Sequence, residues 1–556
     1  MRLESYASGA STLPLIGESI GAHFKRIAAR YPGNEAVVSV HQGLRLTYAE
    51  LDALTDRFAR GLMALGVNHG DRVGIWSTNS LEWVVAQFAT PKIGAILVNV
   101  NPAYRTSEAA YALEQSGVSV LLTQVRHKTS EYVEILREIR DGLPALRSIV
   151  LLGEEAPHSP LPGALRWDDV LDLADGVSEH KLEARLAAAQ FDEAINIQYT
   201  SGTTGFPKGA TLTHHNILNN GFFIGEGCRY TPADRVCIPV PFYHCFGMVL
   251  GNLAVVTHGA TIVIPNYTFD AAASLDAVRK ERCSALYGVP TMFIAELALP
   301  DFATYDCSTL RTGIMAGSPC PVEIMKRVQT EMHMPEVTIC YGMTETSPVS
   351  TQTAVDDPID KRTGTVGRVH PHLEVKIVDE HGRIVPRGTP GELCTRGYSV
   401  MLGYWNDPVN TAGAIDAARY MHTGDIAVMD EEGYVNIAGR IKDMVIRGGE
   451  NVYPREVEEF LYTHPAVKDV AVIGVPDEKY GEELCAWVIL HESAVATEDD
   501  IKTYCRGKIA HFKVPRYVKF VNELPMTVTG KIQKYKMREQ STLELGLSAA
   551  ARIVTA

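Results

Sequence analysis

Ala194-Ile195-Asn196-Ile197-Gln198-Tyr199-Thr200-Ser201-Gly202-Thr203-Thr204-Gly205-Phe206-Pro207-Lys208-Gly209 is the stretch on which the fold turns. A strand-like run, Ala194 to Gln198, hands over to a segment in which seven of ten residues from Tyr199 are Gly, Ser, Thr or Lys. Small residues let the backbone approach a ligand, glycines permit an anion-cradling nest, hydroxyls donate hydrogen bonds, and Lys208 adds a point charge. The stretch predicts a phosphate-holding loop at a strand end. It is not a Walker loop: counting from Gly202, Pro207 stands where the second Gly belongs, and Gly209 follows the lysine in place of Ser or Thr. A plain Ser/Thr/Gly turn is the alternative. The strand before it and the lysine within it favour the phosphate loop.

Upstream, helical and strand patterns alternate. Thr47 and Glu50 have capping-box spacing, and Leu51, Leu54, Phe58 and Leu62 follow at helical period until Gly66. Strand-like Arg72 to Trp76, an apolar helix near 81–90, strand Ile96 to Val98, a helix near 107–116 and strand Val118 to Leu122 continue the rhythm. Such repetition predicts parallel sheets covered by helices on both faces. Residues 125–190 are polar, acidic and proline-containing, and are expected to form a surface connection before the alternation resumes at Ile195. From about 365 to 440 short β-rich runs separated by Gly and Pro predict a small barrel or mixed sheet. Beyond Gly439 a helix at 455–462, strands at 468–475 and 484–490, a helix capped by Thr497 with Asp500, and a strand at 517–521 predict a separate α+β unit.

With 556 residues the chain exceeds the roughly 250–300 that one hydrophobic core serves, so at least two domains are expected. Lys and Arg number 52 against 66 Asp and Glu, a net charge of −14 that argues against a broad nucleic-acid-binding face. Any anionic ligand must be held locally. The 10 cysteines are scattered without metal-ligand spacing, and fit small buried hydrophobes in a reducing compartment. Lacking an apolar run of transmembrane length or a signal-peptide core, the chain is expected in the cytoplasm.

The loop Tyr199 to Gly209 resembles the signature loop of the adenylate-forming superfamily of acyl-CoA synthetases, peptide-synthetase adenylation domains and firefly luciferase. Further motifs follow in family order: Ala316-Gly317-Ser318-Pro319, Tyr341-Gly342-Met343-Thr344-Glu345-Thr346, His422-Thr423-Gly424-Asp425, Gly439-Arg440-Ile441-Lys442-Asp443 and Thr529-Gly530-Lys531. The resemblance spans nearly the whole chain. It implies an α/β fold in which residues 1–440 form a large domain of parallel sheets flanked by helices with a small β-barrel-like subdomain. Residues 441–556 would form a mobile, smaller α+β domain hinged at Lys442. It also implies a reaction in which a carboxylate attacks the α-phosphorus of ATP, giving acyl-AMP and pyrophosphate, before a thiol displaces AMP.

By the same resemblance, Thr200, Ser201, Gly202, Thr203, Thr204, Gly205 and Lys208 hold the ATP phosphates, and Gly317 and Ser318 lie beside the adenine on which Tyr341 stacks. Thr344 donates to the α-phosphate and Glu345 helps hold Mg²⁺, a hard cation suited to carboxylate oxygen. Asp425 accepts from the ribose hydroxyls with Arg440 opposite, and Lys531 bridges the acid and the α-phosphate. The loop from Arg447 to Pro454, through Gly448 and Gly449, lines a pantetheine tunnel, which with no attached carrier domain favours free coenzyme A as acceptor. Without the family, most of these side chains would pass for turn, cap or surface residues.

Two features address the acid. Acetate-specific relatives carry Trp at the position of Gly342, so glycine is expected to leave that space open to a longer chain, at about 0.8 kcal/mol per buried CH₂. Pro241 to Met248, with His244, matches the family's segment beside the acyl pocket; core packing and a structural histidine are equally consistent with it. His214 and His215 read as core or helix-surface residues. Ala418-Arg419-Tyr420 replaces the Asp-Gly-Trp common in relatives, a departure confined to a flanking loop. The Gly-Gly-Glu-Asn-Val-Tyr-Pro loop resembles medium-chain and aryl-acid ligases. The expectation is a medium-chain fatty acid activated for transfer to coenzyme A. The alternatives are a cinnamate- or benzoate-type acid, transfer to a carrier protein, or nucleotide binding without turnover.

Overall fold

Strands Ala194–Thr200, Ile96–Asn99, Arg72–Trp76, Val118–Gln124, Ser148–Leu152 and Leu165–Arg166 lie side by side in parallel. They belong to a computed structural model that describes residues 3–153, 161–200, 207–318, 320–447, 450–477, 479–492, 494–506, 508–527 and 531–547. Lys208–Thr213 and Gly403–Tyr404 add antiparallel strands at one edge. The parallel strands are apolar nearly end to end because helices cover both faces, and Val73, Ile75, Val98, Leu121 and Ile197 are all fully buried.

The segment 125–190 is more than a connection. Ile149-Val150-Leu151-Leu152 is buried within this sheet, and helices Tyr132–Ile139, Trp167–Leu173 and Glu179–Ala188 surround it. The polar residues on either side dilute the strand's short apolar run in the sequence.

A second sheet places Glu336–Gly342, Thr312–Ala316, Ala285–Gly288, Arg235–Cys237, Thr261–Ile264 and Glu35–Ser39 in parallel order. Antiparallel strands border it at both edges. Tyr6–Ser8, Leu373–Val378, Gly391–Gly397, Met421–Met429 and Val435–Arg440 form the small antiparallel sheet expected between 365 and 440. After Met444 a further sheet is built from Val445–Arg447, Glu450–Val452, Val467–Asp477, Gly481–Leu490 and Tyr517–Phe520. Its two apolar clusters draw only on residues from 445 onward.

Local signals act as anticipated. The Thr47 hydroxyl accepts from the Glu50 N–H at 3.3 Å while Glu50 accepts from the Thr47 N–H at 2.8 Å, opening the helix Tyr48–Ala64. Gly66, at φ +81°, takes the chain out of that helix. One face of this helix also carries charge inward. Lys92 is fully buried, and its ammonium donates to Asp52 Oδ1 and Asp56 Oδ1 at 2.5 Å each, to Thr55 Oγ1 at 2.8 Å and to the Asp52 carbonyl at 3.2 Å. Lys25, from helix Ile20–Arg30, takes the remaining oxygens of both carboxylates.

Glu296 is the opposite case. On helix Pro290–Leu297, it is 1% exposed, and among the described residues neither carboxyl oxygen has a hydrogen-bond partner. Burial raises its pKa well above the ordinary carboxylate value, which favours the neutral acid. A carboxyl whose pKa is raised on folding contributes least penalty below its unfolded value and progressively destabilises the fold as pH climbs toward the folded one. Glu296→Met is therefore expected to stabilise the protein by about 1–3 kcal/mol, with a larger gain at pH 8 than at pH 5.5. Urea titrations at the two pH values would show it, and an equal gain at both would remove the titrating carboxyl from the explanation.

Candidate active site

The two parallel sheets and the small antiparallel sheet meet where several strands end, the usual place for a ligand in an open α/β architecture. Thr200 closes its strand and Lys208 opens the next, and the two are direct partners across the antiparallel pair. The two residues that flank the expected phosphate loop therefore share one register position. Ser201, Gly202, Thr203, Thr204 and Gly205 lie outside the described residues. The Lys208 ammonium donates to Asn410 Oδ1 at 2.9 Å and stands 5.2 Å from the centroid of the Tyr404 ring.

Thr344 and Glu345 occupy a single buried turn just after strand Glu336–Gly342. Glu345 Oε1 accepts from the Tyr404 hydroxyl at 2.8 Å and from Thr200 Oγ1 at 3.5 Å. Among the described residues Oε2 takes no hydrogen bond. A carboxylate oxygen left over beside Thr200 suits a hard divalent cation, so this donor set fits Mg²⁺. The Thr344 hydroxyl lies 3.7 Å from the Cys245 sulfur.

Tyr341 ends the same strand, and its hydroxyl donates to Asp425 Oδ2 at 2.6 Å. Arg440 pairs with Asp425 Oδ1 at 3.1 Å, because residues 425 and 440 face each other across the last two strands of the small sheet. Burial and the Asp425 carboxylate hold the Tyr341 hydroxyl well above its ordinary pKa, so it remains a donor. Burial acts to lower the Arg440 pKa, but Asp425 and Asp443 outweigh it and the net shift is upward. Gly317 follows strand Thr312–Ala316 at φ +92°, with Val289 and Phe246 against the position a side chain would take, and Ser318 is beside it.

Lys531 returns from the far end of the chain into this cleft. Its backbone N–H donates to Thr527 Oγ1 at 3.0 Å and its carbonyl accepts from the Thr527 N–H at 2.7 Å. The residue itself keeps an exposed surface, yet its ammonium is crowded by protein, and burial first and the Arg440 charge second lower its pKa. Cys245, Glu345 and Asp425 act in the other direction. Among the described residues the Lys531 ammonium makes no ion pair. His244 accepts the Phe246 N–H on Nδ1 at 3.1 Å, and burial, reinforced by Lys531, pulls its pKa down to about 3. It is a neutral imidazole with its proton on Nε2. The neighbouring Phe242, Cys245, Phe246 and Met248 are buried in the main core.

Lys442 lies in the exposed turn Ile441–Asp443 between the small sheet and the C-terminal strands. Gly448 and Gly449 lie outside the described residues. Gly342 is constrained by its own backbone surroundings. A Cβ there would stand 1.7 Å from the Pro348 carbonyl oxygen and 3.1 Å from the Ser350 nitrogen. A close backbone approach on that side requires the glycine, while the residue itself stays exposed. Tyr404 and Asn410, which touch Glu345 and Lys208, were not among the anticipated residues. Gly403-Tyr404-Trp405 is an aromatic pair after a glycine, and nothing local ties it to a turn 59 residues away.

A family model described as AMP-binding enzyme matches residues 24–405, and one described as AMP-binding enzyme C-terminal domain matches 456–531. The chain is 50% identical over 550 residues to a putative acyl-CoA synthetase, YngI, of Bacillus subtilis (strain 168), covering 96% of this chain and 99% of that protein. It is 44% identical over 559 residues to the mitochondrial medium-chain acyl-CoA ligase ACSF2 of Bos taurus, covering 98% and 91%. Among solved structures, the anthranilate CoA ligase AuaEII in complex with anthranoyl-AMP superposes with a TM-score of 0.85 at 28% identity, covering 96% and 99%.

Proposed function

The chain belongs to the AMP-binding enzymes, and from that premise we propose that it is an ATP-dependent, AMP-forming ligase that joins a medium-chain fatty acid to coenzyme A. The observation that carries the proposal is the convergence of Lys531, Glu345, Thr344, Asp425 and Arg440 on one cleft, from four separate parts of the chain. The 44% identity to a medium-chain ligase, against 28% to an aryl-acid ligase, favours the aliphatic acid.

A carboxylate resists attack because its leaving group is poor; joining it to AMP makes the leaving group a good one. In the proposed first step the acid's oxygen attacks the α-phosphorus and pyrophosphate departs. Lys531 stabilises the charge shared by the acid and the α-phosphate, Thr344 donates to that phosphate, and Lys208 with the loop 201–205 holds the outer phosphates. Asp425 takes the ribose hydroxyls, steadied by Arg440 and Tyr341, whose ring flanks the base beside Gly317 and Ser318. Glu345 would hold Mg²⁺, which when bound neutralises phosphate charge. Neutral His244 offers an N–H next to the acid without adding a second cation to Lys531. In the second step the thiolate of coenzyme A attacks the acyl carbon and AMP leaves. We assign residues 1–440 to the catalytic body and 441–556 to a cap turning at Lys442, which would withdraw Lys531 and bring Gly448 and Gly449 to the pantetheine arm. The 10 cysteines, all free and buried, suit a reducing compartment such as the cytoplasm. Among the described residues no helix is long and apolar enough to cross a membrane.

A panel of acids assayed for coenzyme-A-dependent AMP release is expected to favour octanoate-class acids over cinnamate and benzoate. Preference for rigid aromatic acids would replace the aliphatic assignment, and activity only with a carrier protein would replace coenzyme A.

A further inference from the structure

We propose that Tyr404 is a positioning residue that holds the two opposite charges of the phosphate site with two different parts of one side chain. The inference rests on the ligase reading above. The Tyr404 hydroxyl donates to Glu345 Oε1 at 2.8 Å, while its ring face carries the Lys208 ammonium 5.2 Å from the centroid. A tyrosine so placed keeps the carboxylate and the ammonium from collapsing onto each other.

The side chain is itself firmly mounted. Gly403–Tyr404 pairs with Lys208–Thr213, the Tyr404 N–H donates to Thr411 Oγ1 at 2.9 Å, and the Trp405 N–H donates to the Gly209 carbonyl at 2.7 Å. Gln115 holds the Trp405 carbonyl at 2.6 Å and accepts from Tyr199 on the strand that feeds the phosphate loop. The segment 403–411 is therefore a strap fastened to both strands flanking that loop. Asn410 on the same strap receives Lys208 and is braced by Asp407. With Oε1 of Glu345 occupied, the remaining oxygen Oε2 is fixed in orientation and would be the one offered to a divalent cation.

Substitution separates the two functions. Tyr404→Phe keeps the ring under Lys208 and removes the bond to Glu345; Tyr404→Leu removes both. The probe is Mn²⁺ binding, followed by electron paramagnetic resonance, to the whole protein saturated with a non-hydrolysable α,β-methylene ATP, with affinity for that nucleotide in EDTA measured alongside. Tyr404→Phe is expected to weaken Mn²⁺ roughly tenfold or more, the cost of one hydrogen bond to a charged group, while leaving metal-free nucleotide affinity and the melting temperature near wild type. Tyr404→Leu is expected to weaken the metal-free nucleotide as well. Wild-type Mn²⁺ affinity in a folded Tyr404→Phe protein would overturn the proposal, as would equal losses with and without metal. Failure of the wild-type protein to bind the nucleotide would instead overturn the ligase reading, and this inference with it.

Discussion

Lys531→Ala is expected to slow adenylation by roughly 10²- to 10³-fold, the usual cost of losing one preorganised electrostatic contact in a closed site. The structure gives the reason. The ammonium sits among His244, Cys245, Glu345, Asp425 and Arg440, close enough for Arg440 to repel it, and among the described residues no carboxylate pairs with it. A cation crowded by protein and left without an anion gains most when negative charge arrives. The acid and the α-phosphate supply that charge only in the first half-reaction. Thioester formation from supplied acyl-AMP should therefore proceed at close to the wild-type rate. Pyrophosphate exchange and single-turnover thioester assays separate the steps, and equal losses in both would contradict a step-specific lysine.

Lys92→Met is expected to cost about 3 kcal/mol of stability, read from the first cooperative transition in urea. The substituted side chain fits the volume but leaves Asp52 and Asp56, one helical turn apart, sharing only Lys25. Removing one partner from a buried ion cluster costs about 3–5 kcal/mol in fully buried cases. The two carboxylates keep side-chain exposures of 22% and 26%, so water relieves part of the penalty and the lower end applies. The Lys92 partners Asp52, Thr55 and Asp56 all lie on the helix Tyr48–Ala64 and none is a cleft residue, so pyrophosphate exchange by the folded variant should be unchanged. A loss under about 1 kcal/mol would mean that Lys25 alone suffices.

What was legible in the sequence was what is encoded locally. The capping boxes at Thr47 and Thr497 need only three residues of context, and both form. The parallel rhythm from Arg72 to Leu122 needs only uninterrupted apolar runs, because both faces of each strand are covered. Ser148–Leu152 escaped because the residues on either side of its short apolar run are polar, while the helices and strands that bury it come from elsewhere in the sequence. In the site, Asp425 and Arg440 were expected on opposite sides of the ribose, but their direct pairing depends on strand register. Tyr404 was invisible for the same reason: its partners lie 59 and 196 positions away.

The Pro348 carbonyl pressed against Gly342 closes a route by which such a pocket would otherwise be retuned. Bulk cannot be introduced at residue 342 unless the chain from 347 to 350 is rebuilt, so a single-base change there yields a damaged scaffold, not a shorter-chain enzyme. Side chains elsewhere along the cleft are the better targets for changing acyl length. Libraries aimed at new acids are better spent there, with position 342 left untouched.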